Sequence, residues 1–155
     1  MSSMESLRNS SREIQRSMKE KVGFAEEMRA EIDRLKQGME GMPEGLDDSI
    51  QSAIESAQNE ARENALNEIS SQEALAREDQ SRGTGVISEI GGKKASNETA
   101  SRKLEALRGN KYGTGIEGTM SAIRENTRIG EETESELSRE MELDMQRLQE
   151  LKSGI

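Results

Sequence analysis

Residues 7–42 read LRNSSREIQRSMKEKVGFAEEMRAEIDRLKQGMEGM, and mostly apolar or small side chains recur in them at alternating spacings of four and three. The series is Leu7, Ser11, Ile14, Met18, Lys21, Ala25, Met28, Ile32, Leu35, Met39 and Met42. This spacing places side chains along one face of a helix and is typical of a coiled-coil seam. Good helix formers fill many of the intervening positions. We therefore predict a long amphipathic helix over about 5–42.

A helix break follows at Gly41-Met42-Pro43-Glu44-Gly45. Proline donates no backbone hydrogen bond and disfavours helix in the residue before it, so Pro43 and Gly45 are predicted to reverse the chain. A second apolar series then predicts a helix over about 45–81: Leu46, Ile50, Ile54, Ala57, Ala61, Ala65, Ile69 and Leu75. Residues 1–82 would thus form an antiparallel hairpin. A turn near residue 44 would set Arg8, Arg12 and Arg16 opposite Glu73, Glu78 and Asp79.

The glycines after this hairpin predict a flexible connection. Gly83, Gly85, Gly91 and Gly92 make residues 83–95 a glycine-rich linker. Residues 96–108 are predicted to form a short helix that Gly109 ends. A final seam predicts a long helix over about 116–152: Ile116, Met120, Ile123, Thr127, Gly130, Glu134, Leu137, Met141, Asp144, Leu148 and Leu151. The expected fold is all-α, a helical bundle or coiled coil, with residues 96–155 forming its C-terminal part.

Composition narrows the function. Only 30% of the residues are hydrophobic and 1% aromatic, and histidine and cysteine are absent. The usual near-neutral acid–base and thiolate chemistry is therefore missing, and we predict a protein that is not an enzyme and has no cofactor or metal. Glu131, Glu132, Glu134 and Glu136 favour a solvated helix face. The string Gly113-Thr114-Gly115-Ile116-Glu117-Gly118 has no strand before it, which favours a hinge over a nucleotide site.

Charge and hydropathy predict which partners the chain binds and in which compartment it is found. A net charge of −9 disfavours nucleic-acid binding. Residues 44–82 carry three basic and ten acidic side chains, whereas 83–115 carry six and three, so these segments could neutralise one another. No apolar run approaches membrane-spanning length, and the N-terminus lacks a Sec-type signal. We predict no direct membrane insertion and a protein that is cytoplasmic, or exported by a non-Sec route.

The first 82 residues resemble the WXG100 family of small proteins that type VII secretion systems export. Two antiparallel helices of similar length joined by a Trp-x-Gly turn characterise that family. Here the turn reads Pro43-Glu44-Gly45, which keeps the glycine and lacks the tryptophan. Of the family's export signal, a tyrosine followed four residues later by an acid, the segment 75–79 keeps only Asp79. The resemblance implies an accessory or targeting subunit of a type VII-like secretion system.

The heptad segments also resemble the two-motif SNARE proteins of membrane fusion. The similar segments are Ile32 to Met42 and Ile129 to Leu137. Met28 and about Glu140 stand where that family has its central glutamine. This resemblance implies, as the alternative function, a coiled-coil component of a fusion or trafficking complex.

Both resemblances and the helical periodicity predict an assembly protein that pairs with partner helices. The partner would be another helical protein or a second copy of the chain. The predicted partner-binding seam consists of Leu7, Ile14, Met18, Met28, Ile32, Leu35, Met39, Ile116, Met120, Ile123, Leu137, Met141, Leu148 and Leu151, with Pro43 and Gly45 forming the turn.

Overall fold

A computed structural model describes residues 3–109 and 115–155 and confirms the all-α fold. Helix α1 spans Met4–Glu40, α2 spans Asp48–Leu107 and α3 spans Ile116–Lys152. Within the described residues there is no strand. The predicted bounds of α1 and α3 agree closely with these, whereas α2 is a single helix of 60 residues.

The helix ends follow from local side chains. The Ser3 hydroxyl accepts a hydrogen bond from the Ser6 amide at 3.0 Å and caps α1. Asp47 caps α2 in the same way, since its carboxylate accepts the Ser49 amide at 2.9 Å. Gly45 in the turn and Gly109 after α2 have φ angles of 81° and 88°, a conformation that favours glycine. The predicted turn at Pro43 and Gly45 therefore lies between α1 and α2.

The predicted linker at residues 83–95 is wrong, because this segment is helical throughout. Each glycine within a helix costs about 1 kcal/mol relative to alanine. Against this, Ile90 is fully buried and Val86 packs beside it, and burying a large aliphatic side chain contributes about 2–3 kcal/mol. The separate short helix predicted over 96–108 is likewise the C-terminal part of α2.

The described residues form two compact units, and each helix contributes a segment to both. Unit 1 comprises the described residues of Met1–Arg16 together with those of Gln80–Met141, and unit 2 comprises Ser17–Asp79 and Glu142–Ile155. In unit 1, Met4, Leu7 and Ile90 form a core that Val86 and Ile129 extend. The core residues of unit 2 are aliphatic or small: Met18, Val22, Ala25, Ile32, Ala65, Ile69, Ala76, Leu148 and Leu151.

Two glycines of unit 1 lie where helices approach closely. A Cβ atom on Gly83 would lie 2.3 Å from the Met141 sulfur and 3.7 Å from Ile14. A Cβ atom on Gly130 would lie 2.7 Å from the Met4 methyl carbon and 3.2 Å from Ile90. Glycine at these seam positions therefore gives room to the larger side chains opposite.

The pairing of α1 with α2 also differs from the expected register. Asp79 bonds to Ser17 and Lys21, whereas a turn centred near residue 44 would set it opposite Asn9. The loop between α1 and α2 comprises residues 41–47 and is centred on residue 44 as predicted, so the offset lies in how the two helices pack and not in the position of the turn. The predicted pairs of Arg8, Arg12 and Arg16 with acids of α2 are wrong: Glu73 pairs with Arg77, and Arg8 pairs with Glu5.

Replacement of Gly83 by leucine tests the close approach in unit 1. We expect Gly83→Leu to lower the free energy of unfolding by about 1–3 kcal/mol, because the added side chain overpacks the contact with Met141 and Ile14. Gly85→Leu is the matched control, since no atom lies within 4 Å of its Cβ position. The control should be stabilised by up to about 1 kcal/mol through helix propensity. Equal urea midpoints for the two variants would contradict the packing.

Candidate helix-binding faces

Most of the predicted partner-binding seam is used inside the chain. Ten of its residues are buried: Leu7, Ile14, Met18, Ile32, Ile116, Met120, Leu137, Met141, Leu148 and Leu151. The other four, Met28, Leu35, Met39 and Ile123, are half-buried, and the turn residues Pro43 and Gly45 are exposed. The seam residues available to a partner in this fold are therefore the half-buried ones.

Polar side chains also occupy the buried seams, and the apolar pattern alone did not identify them. Ser11, Glu73, Asp79, Thr133 and Asp144 are buried. The carboxylate of Asp79 lies 2.7 Å from the Lys21 ammonium and accepts the Ser17 hydroxyl at 2.8 Å. This contact joins α1 to α2 in unit 2, since a buried carboxylate is stable only when it is paired and hydrogen-bonded. The available signal was spacing, because Asp79 and Ala76 continue the series of Ala65 and Ile69.

The C-terminal residues of unit 2 are held by basic side chains of α1. Arg29 donates a hydrogen bond to the Leu151 carbonyl at 3.0 Å, and Lys36 donates one to the Gly154 carbonyl at 3.3 Å. The Lys152 ammonium, at the end of α3, lies 4.0 Å from the Glu73 carboxylate on α2. Cations at the C-terminus of a helix satisfy its free carbonyls. These contacts locate α3 beside the part of α2 near Glu73, and residues 48–72 of α2 precede that point.

We call residues 33–68 the acidic hairpin. It contains the last two turns of α1, the loop and the first part of α2, and it carries nine acidic and three basic side chains. Ile50 is 47% exposed and Leu66 is 37% exposed. Leu35, Met39, Leu46 and Ile54 are only half-buried. The acidic hairpin thus keeps apolar side chains in contact with water among carboxylates.

We call residues 91–109 together with 115–128 the basic hairpin. It lies in unit 1, where α2 and α3 pack together through hydrogen bonds from the Asn97 amide to Asn126 at 2.9 Å and to Thr127 at 3.0 Å. It carries seven basic and four acidic side chains. Leu107 is 44% exposed, and Ala100, Leu104 and Ile123 are half-buried.

Two open grooves flank α2 in the basic hairpin. One, of about 750 Å³, begins at Ser3 and Met4 and continues past Lys93, Ser96 and Asn97 to Asn126. The other, of about 620 Å³, lies on α3 at Ile123, Arg124 and Thr127. Helix α1 begins at Met4, whose side chain packs near Ile90. The first groove therefore lies at the N-terminal end of α1, where α2 and α3 continue side by side beyond it.

Several arginines of the basic hairpin are paired locally. Arg108 donates to Glu117 at 2.7 Å and also bonds to Glu105, which raises the pKa of Arg108. The hydrogen bond from Arg128 to Glu125 lowers the pKa of that carboxyl. In the described part of the chain, Lys93, Lys103 and Arg124 form no ion pair. Those three cations remain available to an external acid.

The ion pair of Lys21 and Asp79 gives a direct test of unit 2. We expect Lys21→Met to lower the free energy of unfolding by about 3 kcal/mol, because it withdraws a cation from a buried carboxylate. The double variant Lys21→Met/Asp79→Leu should regain most of that loss, since it removes the buried charge as well. Chemical denaturation measures both values.

Arg102→Met is the control for this series, since the exposed pair of Arg102 and Glu98 should contribute less than about 0.5 kcal/mol. A Lys21→Met variant as stable as the Arg102→Met variant would show that Asp79 does not depend on the ammonium.

Other kinds of site find little support in the part of the chain that the structure describes. No three acidic side chains there lie close enough together to hold a metal ion, and no helix is long and apolar enough to cross a membrane. The glycine string 113–118 begins outside the described residues. Comparison of the chain with family models, with curated proteins and with solved structures gives no match. The two hairpins therefore remain as the candidate binding faces in the described part of the chain.

Proposed function

We propose that this chain is a non-catalytic assembly protein whose two hairpins pack against partner helices. The observation that carries the proposal is the contrast between apolar side chains that the chain covers with its own helices and apolar side chains that it leaves exposed. Leu137 and Leu148 are fully buried by the chain's own helices, whereas Ile50 and Leu107 are 47% and 44% exposed at the hairpins. An exposed apolar side chain gains free energy when a partner helix covers it, at about 25 cal/mol per Å² of apolar area.

A segment of only two packed helices has an open side on which such a partner helix can pack. Two packed helices leave apolar side chains on their open side, and a third or fourth helix can cover them in a bundle. In the acidic hairpin, Ile50, Ile54, Ala57 and Ala61 follow one another at spacings of four and three. This spacing sets them on one face of α2, and alanines on that face allow close helix approach.

The chemistry of the chain supports a protein partner over a substrate or a nucleic acid. Histidine and cysteine are absent from the sequence, which leaves out the side chains most used as bases and nucleophiles near neutral pH. The net charge of −9 opposes binding to phosphates.

A finer proposal is an accessory or targeting subunit of a type VII-like secretion system. It is supported by the helix–turn–helix of α1 and α2 and by Gly45 in the turn. The lengths depart from that family, because α1 has 37 residues and α2 has 60. The alternative, a SNARE-like component of a fusion complex, is supported by the heptad spacing alone.

A pull-down with the full chain tests the general proposal. The wild-type protein, immobilised and exposed to an extract of its source cells, should retain one defined helical partner. The double variant Ile50→Gln/Ala57→Gln should retain at least about tenfold less of this partner, because it places polar amides on the face of α2 that carries Ile50, Ile54, Ala57 and Ala61. Both residues are exposed, so circular dichroism and the melting temperature should stay close to wild type.

The matched control is Leu75→Gln/Leu143→Gln, which also replaces exposed side chains, at 44% and 51%, but outside both hairpins. It should retain the partner fully. Equal retention by all three proteins, or no retention by wild type, would refute the assembly role.

A further inference from the structure

We propose that one partner is a second copy of this chain, and that the acidic hairpin of one copy packs against the basic hairpin of another. This inference deepens the proposed function and rests on it. Charge complementarity between the two hairpins carries it, together with the apolar side chains that both leave exposed.

The acidic hairpin has a large excess of carboxylates that the chain does not neutralise. Between residues 40 and 68 eight acidic side chains face a single base, Arg62. Within the described residues Glu55, Glu60 and Glu63 form no ion pair. Like charges at this density repel one another, and a cationic surface laid against them relieves that repulsion.

The basic hairpin offers a cationic surface. Lys93, Ser96, Ala100, Lys103 and Leu107 follow one another on α2 at spacings of three and four. They therefore share one face of the helix. Lysines, small residues and leucine thus alternate along this face of α2. Of these residues, Lys93 and Ser96 line the groove of about 750 Å³ that begins at the first turn of α1, together with the acidic Glu89.

Apolar contacts would hold the pair once charge has brought it together. The acidic hairpin contributes Ile50, Ile54 and Ala57, and the basic hairpin contributes Ala100 and Leu107. Two helices from each copy would form a four-helix bundle, which encloses the open side of both hairpins. Surface charges mainly speed and select the encounter, so both contributions are needed.

The oligomeric state of the full chain tests the inference. Light scattering after size exclusion should show concentration-dependent association of the wild-type protein in about 50 mM NaCl. The dissociation constant should rise at least about tenfold in about 500 mM NaCl, because salt screens exposed charges. A wild-type chain that stays monomeric at low salt while it still retains a different helical partner in the pull-down would overturn this inference and leave the assembly role standing.

Two charge-reversal variants distinguish charge-complementary pairing from nonspecific association. The acidic-face variant is Glu55→Lys/Glu60→Lys/Glu63→Lys, and the basic-face variant is Lys93→Glu/Lys103→Glu/Arg124→Glu. Each reverses three charges that form no ion pair within the described residues. Each variant alone should be monomeric, with its dissociation constant raised at least about tenfold. Their helicity by circular dichroism should match wild type.

An equimolar mixture of the two variants gives the decisive result. The intact basic hairpin of one variant can pair with the intact acidic hairpin of the other, so the mixture should form a 1:1 complex of nearly wild-type affinity. A mixture that stays monomeric would overturn the pairing. So would a variant that, on its own, associates with the same dissociation constant as wild type.

Discussion

Burial of small and aliphatic side chains that recur every three or four residues holds all three helices in place. With 30% hydrophobic and 1% aromatic residues, the chain has little other apolar material. The seams are thin, and they admit glycine, serine and even carboxylates at buried positions, provided that these fit or are paired. Gly83 makes room for Met141, and Asp79 is accepted because Ser17 and Lys21 bind it. Because the core contains so little apolar surface, the fold depends on every seam position packing against a neighbouring helix.

Much of the fold could be predicted because the seams of α1 and α3 are local patterns. Leu7, Ile14 and Met18 were predicted from spacing, and all three are buried. The course of α2 could not be predicted in the same way. Its glycines lower helix propensity locally, whereas the burial of Ile90 against Met4 and Leu7 depends on residues distant in sequence. The helix register failed for a similar reason, since it is seen in contacts of Asp79 with Ser17 and Lys21, which are distant from it in sequence.

The candidate faces follow from what the seams leave uncovered. Sequence spacing marked a single partner-binding surface, but spacing alone does not distinguish a side chain that packs within the chain from one that meets a partner. Only the fold separates Leu148, which is fully buried, from Ile50, which is half exposed. The uneven charge distribution was visible in the sequence, although its assignment to two distinct hairpins required the helix boundaries. In the basic hairpin, the ion pairs of Lys94, Arg102, Arg108 and Arg128 then reduce the available cations to Lys93, Lys103 and Arg124.

The continuity of α2 through the glycine-rich segment is the central structural claim, because it sets the extent of both hairpins. Hydrogen–deuterium exchange of the backbone amides of residues 83–95 measures it most directly. If α2 is continuous and Ile90 is buried, these amides should exchange as slowly as those of residues 69–79, in the same helix. Complete exchange of residues 83–95 within seconds, with residues 69–79 still protected, would contradict the account.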